Sequence, residues 1–202
     1  MKNELHLCAA CMNEMPLTSF HEQRENLLEK TFWGRIQFKH AFAMLYFNKE
    51  GMVQKMLHEI KYKGNKELAV FLGEMYGGML KSSGINADGI VAVPLHKNKL
   101  RKRGYNQSDY IVHGLSNVLQ IPILNASVAR ITATESQTRK NRFARWENVQ
   151  EVFSVVDASI LENKHLLICD DVITTGATIE GLCKVLPKSA TVSICAIATP
   201  VH

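Results

Sequence analysis

Two adjacent carboxylates, Asp170 and Asp171, follow the apolar run LLIC at 166–169 and precede Val172, Ile173 and the string Thr174-Thr175-Gly176-Ala177-Thr178. An uninterrupted apolar run of this length suits a strand covered on both faces of a parallel sheet. The sequence predicts that the aspartates stop it. Small and hydroxylated residues then offer backbone N–H groups and hydroxyls ahead of a helix-like stretch at 179–186. A helix start carries unpaired N–H groups and partial positive charge, so an anion placed there gains charge-assisted hydrogen bonds. Gly176 lets the backbone approach such a group closely. The aspartates lie too near that anion to bind it themselves and suit hydroxyl groups or a cation. The ligand shape implied is a phosphate beside a vicinal diol. The same string also suits an ordinary strand–turn–helix, with the aspartates ending a strand and Thr174 capping a helix.

A second charged constellation lies at 96–109, HKNKLRKRGYNQSD, after the buried-type strand GIVAVPL at 89–95. Lys97, Arg101 and Arg103, with Lys99 and Lys102 between them and Gly104 after them, form a basic loop at a strand's carboxyl end. Such a loop can hold pyrophosphate through charged donors and glycine-supported N–H groups. It equally suits a solvated basic turn or a patch for nucleic-acid phosphates.

The elements that must position these groups follow from periodicity. Strands are expected at 42–47, 89–95, 128–131, 152–155, 166–170 and 191–198, and helices at 51–62, 66–81 and 106–119. Val53, Met56, Leu57 and Ile60 mark the core face of the first helix, and Gly64-Asn65 marks a turn. Alternating strands and helices predict an α/β fold with a doubly wound parallel sheet, in which ligands bind outside the carboxyl ends of the strands. Residues 1–40 lack runs suited to core strands and form a small irregular N-terminal module; 41–202 form the main domain.

At 202 residues, 46% apolar and with net charge +5, the chain has the composition of a globular α/β protein rather than a disordered one, and its mild positive charge suits an anionic ligand. No stretch approaches the roughly 18–20 apolar residues of a membrane span, and the start lacks a secretory layout, so a cytoplasmic location is expected. Cys169, Cys183 and Cys195 sit in apolar contexts and read as reduced core thiols.

The string at 166–178 resembles the phosphoribosyl pyrophosphate (PRPP) motif of type I phosphoribosyltransferases. VPLHKNKLRKRGYNQSD at 93–109 narrows the likeness to the ComF family of phosphoribosyltransferase-like proteins, named for a bacterial competence protein. FWGR at 32–35, KYKGN at 61–65 and TESQTRKNRFARWENV at 134–149 fit that family too. The resemblance implies the type I phosphoribosyltransferase fold and a glycosyltransferase reaction: an unidentified acceptor displaces pyrophosphate from the anomeric carbon of PRPP, with Mg2+ offsetting charge on the pyrophosphate. Asp170 and Asp171 would hold the diol and the cation's water shell. Thr174, Thr175, Gly176, Ala177 and Thr178 would hold the 5-phosphate, and Lys97, Arg101, Arg103 and Gly104 the pyrophosphate. The polar segment 134–149 matches a mobile loop closing over PRPP, or a plain exposed hairpin. The alternative function is a non-catalytic PRPP- or nucleotide-binding accessory factor in DNA uptake. Weak contact with single-stranded DNA or with the competence machinery, and a homodimer, complete the expected partners. Direct single-strand binding ranks last, because Tyr105 alone stands in the basic loop.

CAAC at 8–11 departs from the family pattern, which pairs two Cys-x-x-Cys motifs around Zn2+. Cys8 and Cys11 supply half of such a site, and the first pair is expected to be missing because the chain begins late. His6 or His21 could complete a Cys2His2 set.

Overall fold

In the computed structural model, which describes residues 6–131 and 152–201, residues 6–40 hold two short helices, α1 (Ala9–Asn13) and α2 (Leu27–Phe32), separated by a 3-10 turn, Phe20–Glu22. Strand β1 (Ala41–Phe47) follows, then α3 (Met52–Tyr62) and α4 (Lys66–Ser82). The apolar spacing expected for α3 is realised, with Val53, Met56, Leu57 and Ile60 all buried. Asn65 separates the two helices and caps the second, its side chain accepting from the Leu68 N–H at 3.0 Å.

Beyond α4 come β2 (Gly89–Ala92), α5 (Lys97–Arg103), α6 (Gln107–Leu119), β3 (Val128–Ile131), β4 (Val152–Val155), β5 (His165–Val172), α7 (Ala177–Cys183) and β6 (Thr191–Pro200). Four strands form the main sheet in the order β1-β6-β5-β2, every neighbouring pair parallel. Side chains alternate between its faces. On one face Phe42, Met44, Ile90, Ala92, Leu167, Cys169, Cys195 and Ile197 pack with the apolar residues of α3, α4 and α6. On the other Ala41, Ala43, Val91, Val93, Leu166, Ile168, Ile194 and Ala196 pack with Phe20, Leu28 and Phe32 from the N-terminal segment and Ile179 and Leu182 from α7. The α/β class with a doubly wound parallel sheet is therefore present. Among the described residues no helix is long and apolar enough to cross a membrane.

Helices α4 and α6 touch through two glycines. A Cβ on Gly73 would stand 2.2 Å from the Ile111 carbonyl oxygen, and one on Gly114 2.1 Å from that of Val70. This close approach sets the position of α6, and so of what its first turn presents to the sheet.

Several elements differ from the sequence expectation. Strands β3 and β4 do not join the parallel sheet; they form a separate antiparallel pair, with Val128 opposite Val155. Four-residue apolar runs carry no information about their partner or direction, which the tertiary arrangement supplies. The basic segment after β2 is a helix, α5, rather than a loop. His96 caps it, with Nδ1 accepting from the Asn98 N–H at 3.1 Å, and Gly104 ends it at φ 82°. Lysine, arginine and leucine are good helix formers, and that preference outweighs the repulsion among exposed charges here. Strand β5 runs through both aspartates to Val172, because pairing with β6 continues to Val172 opposite Ala198. Strand β2 stops at Ala92, short of Pro94, which has no N–H for a ladder. Helix α7 spans 177–183 rather than 179–186. The segment 134–149 lies outside the described residues.

Candidate functional site

A cavity of about 620 Å³ opens where the carboxyl ends of β2 and β5 meet α3, α5 and α7. Asp170 and Asp171 from β5 and Thr178 from α7 line it. Lys99, Lys102 and Arg103 of α5 line it too, with Lys61 and Tyr62 from the end of α3 and Arg130 from β3.

The acidic pair is held tightly. The Ser108 hydroxyl donates to Asp170 Oδ1 at 3.2 Å, and the Asp171 N–H donates to the same oxygen at 2.8 Å. Desolvation by the surrounding protein, then the neighbouring charge of Asp171, pushes the Asp170 carboxyl up to about 7; the N–H bond from Asp171, the Lys61 charge and the Ser108 hydroxyl act in the opposite direction. Asp171 is 4% exposed. Lys61 Nζ lies 2.8 Å from its Oδ2. On the Asp170 side, the charge of that carboxylate favours the protonated form of Arg130 while burial disfavours it more.

The segment NQSD at 106–109 is the scaffold for this arrangement. Asn106 donates to the Val93 carbonyl at 3.1 Å and to Asp109 Oδ1 at 3.0 Å, while its Oδ1 accepts from the Ser108 N–H at the start of α6. Asn125 donates to the same Asp109 oxygen at 2.9 Å and accepts from the Ala92 N–H at 2.7 Å. These bonds tie the end of β2 to α6 and so aim Ser108 at Asp170.

The Thr/Gly string turns sharply at Gly176, which adopts φ 74°. A Cβ there would meet the Phe32 ring at 2.5 Å, so glycine is required on both counts. Thr174, Thr175 and Ala177 are exposed and Thr178 half-buried. Arg35 braces the turn from outside: its Nη1 donates to the Thr175 carbonyl at 2.7 Å, and its Nε and Nη2 donate to Glu180 Oε2 at 3.0 and 2.6 Å. The FWGR segment thus supports the string through Phe32 and Arg35 together.

The basic helix contributes unevenly. Arg103 lines the cavity, donates from Nη1 to Gln107 Oε1 and lies 5.5 Å over the Tyr62 ring. Lys97 and Arg101 do not line the cavity, and both are exposed. Gly104 is the left-handed residue that ends the helix. The Tyr105 hydroxyl donates to the Ile60 carbonyl, joining this region to the last turn of α3. Lys66 Nζ sits 5.2 Å over Tyr105 and 5.0 Å over Tyr110. Sequence reasoning named Tyr105 alone as an aromatic in the basic region; the fold brings Tyr62 and Tyr110 beside it.

Sequence reasoning gave no role to Lys61, Ser108 or Arg130, and it counted Lys99 and Lys102 in the basic loop without singling them out over Lys97 and Arg101. Lys61 lies in KYKGN and Ser108 in NQSD, segments whose likeness was visible but whose contacts across the fold were not. Arg130, on a separate small sheet, left no signal.

Cys8 caps α1, its Sγ accepting from the Cys11 N–H at 3.4 Å, and that bond lowers the Cys8 thiol pKa. Both thiols are free. His6 packs on the Phe71 ring, and His21 lines a different cavity with Arg24, Lys39, His40 and His165. Among the described residues no three His, Cys, Asp or Glu side chains gather into a metal-binding group. The acidic pair is a poor fit to a protein-held divalent cation: the Lys61 ammonium stands 2.8 Å from Asp171 Oδ2, two donors take Asp170 Oδ1, and among the described residues no third His, Cys, Asp or Glu joins them.

No family profile matches the chain. Homologues carry two names. Competence protein F of Haemophilus influenzae is 36% identical over 102 residues, covering 50% of this chain and 44% of that protein. DNA utilization protein YhgH is 27% identical over 144 residues in Escherichia coli strain K12 and 26% in Salmonella typhimurium, covering 69% of this chain and 63% of each relative. The chain therefore spans from under half to under two thirds of the length of these relatives. Similar solved structures include a glutamine PRPP amidotransferase from B. subtilis complexed with ADP and GMP (18% identity, TM-score 0.47, 69% of this chain and 30% of that one). Another is a hypoxanthine phosphoribosyltransferase from Staphylococcus aureus (14% identity, TM-score 0.38, 66% and 63%).

Proposed function

We propose that this chain binds PRPP and transfers its phosphoribosyl group to an acceptor, releasing pyrophosphate. The observation that carries the reading is the cavity itself, which brings a diol-sized pair of carboxylates, the flank of the Thr/Gly turn and three cations of α5 into one space of about 620 Å³. That volume lies within the range typical of small-molecule sites, roughly 300–1,000 Å³. Asp170 and Asp171 accept from the ribose hydroxyls. The Thr174–Thr178 turn receives the 5-phosphate on its hydroxyls and N–H groups. Lys99, Lys102 and Arg103 face the pyrophosphate, with Lys97 and Arg101 adding charge from outside the cavity. In the transfer, the acceptor's lone pair forms a bond to the anomeric carbon as the bond to the pyrophosphate oxygen breaks, and that oxygen leaves with the electron pair; the cations of α5 offset the charge it gains. Magnesium accompanies the pyrophosphate group of the ligand. Calorimetry tests the assignment: Asp170→Asn with Asp171→Asn is expected to weaken PRPP by about tenfold or more, since each lost charge-assisted hydrogen bond contributes roughly 1.5–3 kcal/mol. Unchanged affinity would overturn it, and pyrophosphate release with candidate bases and amines identifies the acceptor.

A second reading has support of its own. The homologues named for competence and DNA utilization, with Tyr62, Tyr105 and Tyr110 gathered beside Lys66 and Arg103, favour an accessory factor in DNA uptake that takes single strands at the cavity rim, bases on the tyrosines and phosphates on the cations. Tyr62, 67% exposed, is the ring best placed for this. The double variant Arg101→Gln with Arg103→Gln separates the two. A pyrophosphate site loses PRPP and pyrophosphate but keeps ribose 5-phosphate. A DNA surface loses single-strand affinity, and its salt slope falls by about 0.7 per lost phosphate contact.

A further inference from the structure

A carboxylate buried at the end of a parallel strand requires a counter-charge, because an unpaired buried ion is strongly disfavoured. At Asp171 the counter-charge is an amino group of the protein, Lys61 Nζ, 2.8 Å from Oδ2, with the lysine side chain 23% exposed and the aspartate side chain 6% exposed. Lys61 extends from the last turn of α3, whose other face is fixed in the core by Met56, Leu57 and Ile60. Two contacts hold that turn against the basic region: the Tyr105 hydroxyl donates to the Ile60 carbonyl, and the Arg103 guanidinium lies 5.5 Å over Tyr62. The ammonium is thus delivered by a rigid element and not by a mobile surface chain.

At Asp170 the partners are neutral donors: Oδ1 accepts from the Ser108 hydroxyl and from the Asp171 N–H. Among the described residues no third carboxylate, imidazole or thiol joins the pair. A hard divalent cation needs several oxygen ligands, and here one of the two carboxylates is already bonded to a cation. An ammonium carries three donors. Lys61 stands beside Asp171 as a charge partner at 2.8 Å, while Asp171 Oδ2 accepts no hydrogen bond, so the ammonium's donors are available to an oxygen of a bound ligand.

We propose that Lys61 is the resident cation of this acidic pair: a ribose ring is received at Asp170 and Asp171 with the Lys61 ammonium standing where a divalent ion would otherwise be held, so that recognition of the sugar needs no metal. The inference rests on the reading that the cavity takes ribose 5-phosphate, and it confines any metal requirement to the pyrophosphate end of the ligand. It also gives KYKGN a chemical role, since the segment both supplies the ammonium and, through Tyr62, touches the arginine assigned to pyrophosphate.

The test uses the whole chain and two independent readouts. The first is binding of Mn2+ alone, followed by electron paramagnetic resonance. The wild type is expected to take up no stoichiometric Mn2+, whereas Lys61→Met exposes the pair and gains a site roughly tenfold tighter or better, abolished by adding Asp171→Asn. The second is calorimetry with ribose 5-phosphate, which lacks pyrophosphate. Wild-type affinity is expected to be the same within about twofold in EDTA and in Mg2+, and Lys61→Arg to behave alike; Lys61→Met loses roughly tenfold in EDTA and recovers with Mn2+. Stoichiometric Mn2+ on the ligand-free wild type, or loss of its ribose 5-phosphate binding in EDTA, overturns the proposal, and these wild-type arms decide even where Lys61→Met fails to fold. Absence of ribose 5-phosphate binding in every protein overturns the ligand assignment instead, and the Mn2+ comparison still decides the role of the lysine.

Discussion

The two walls of the cavity are built on opposite principles. The acidic wall is the end of a central strand, still paired with β6 at the aspartates, with Asp171 4% exposed and each carboxylate partnered by a group from another element, Lys61 at Asp171 and Ser108 at Asp170. The basic wall is a seven-residue helix with no buried residue, attached through Gln107, Tyr105 and Tyr62. Charges on the first wall are therefore part of the fold as well as of the site, while charges on the second belong to the site alone. Substitutions on the acidic wall should register in stability and binding together, and those on the basic wall in binding only.

The strongest way to break that contrast is Asp171→Ala. It leaves the Lys61 ammonium beside an apolar gap, and urea unfolding should show a loss of about 2–3 kcal/mol, below the roughly 3–5 of fully buried pairs because Lys61 keeps partial access to water. A loss under about 0.5 kcal/mol, the level of an ordinary surface change, would place Asp171 with the basic wall instead.

The pH dependence sharpens the same point. The Asp170 carboxyl ionises near 3.8 in the unfolded chain and at about 7 in the folded one. Between those values the unfolded chain releases a proton that the folded chain retains. The contribution of Asp170 to stability therefore falls as pH rises through this window and levels off above it. Asp170→Asn removes the dependence, so its stability relative to wild type should improve from pH 4 to 7 and then stay constant. A difference that is flat across the window would mean that Asp170 is ionised throughout.

The smallest effects are expected on the basic wall, and they should be graded. Arg103→Gln removes a cation that lines the cavity and should weaken pyrophosphate by roughly tenfold, equivalent to about 1.4 kcal/mol. Arg101→Gln removes one that does not and should change pyrophosphate affinity by no more than about twofold, with thermal stability in both variants within about 0.5 kcal/mol of wild type. Equal effects at the two positions would show that the helix acts through its summed field and not through placed side chains.

Much of the acidic wall was legible in the sequence because its information is local. The apolar run, the two aspartates and the Thr/Gly string are consecutive, and a parallel strand followed by a turn and helix is the arrangement that such a string favours. The main sheet was readable for the same reason, since buried parallel strands are apolar on both faces. The basic segment was legible as charge but not as shape: the sequence suggested a loop where the chain forms α5, because the helix preference of lysine, arginine and leucine is a weak signal beside a charge run that suits a solvated turn as well, and no buried face adds an apolar period to it.

What the sequence by itself determined here is which residues carry charge and where the strands and their turns fall, since composition and spacing act over a few residues. Only the tertiary structure decided that β3 and β4 leave the parallel sheet, that Arg103 faces the cavity while Arg101 does not, and that Lys61, far from Asp171 in sequence, ends 2.8 Å from its carboxylate. Each of these depends on two segments meeting, and such meetings are set by the close packing of α4 on α6 and by strand order in the sheet. A single segment carries its own preferences, whereas the identity of its neighbour is a property of the whole packed core.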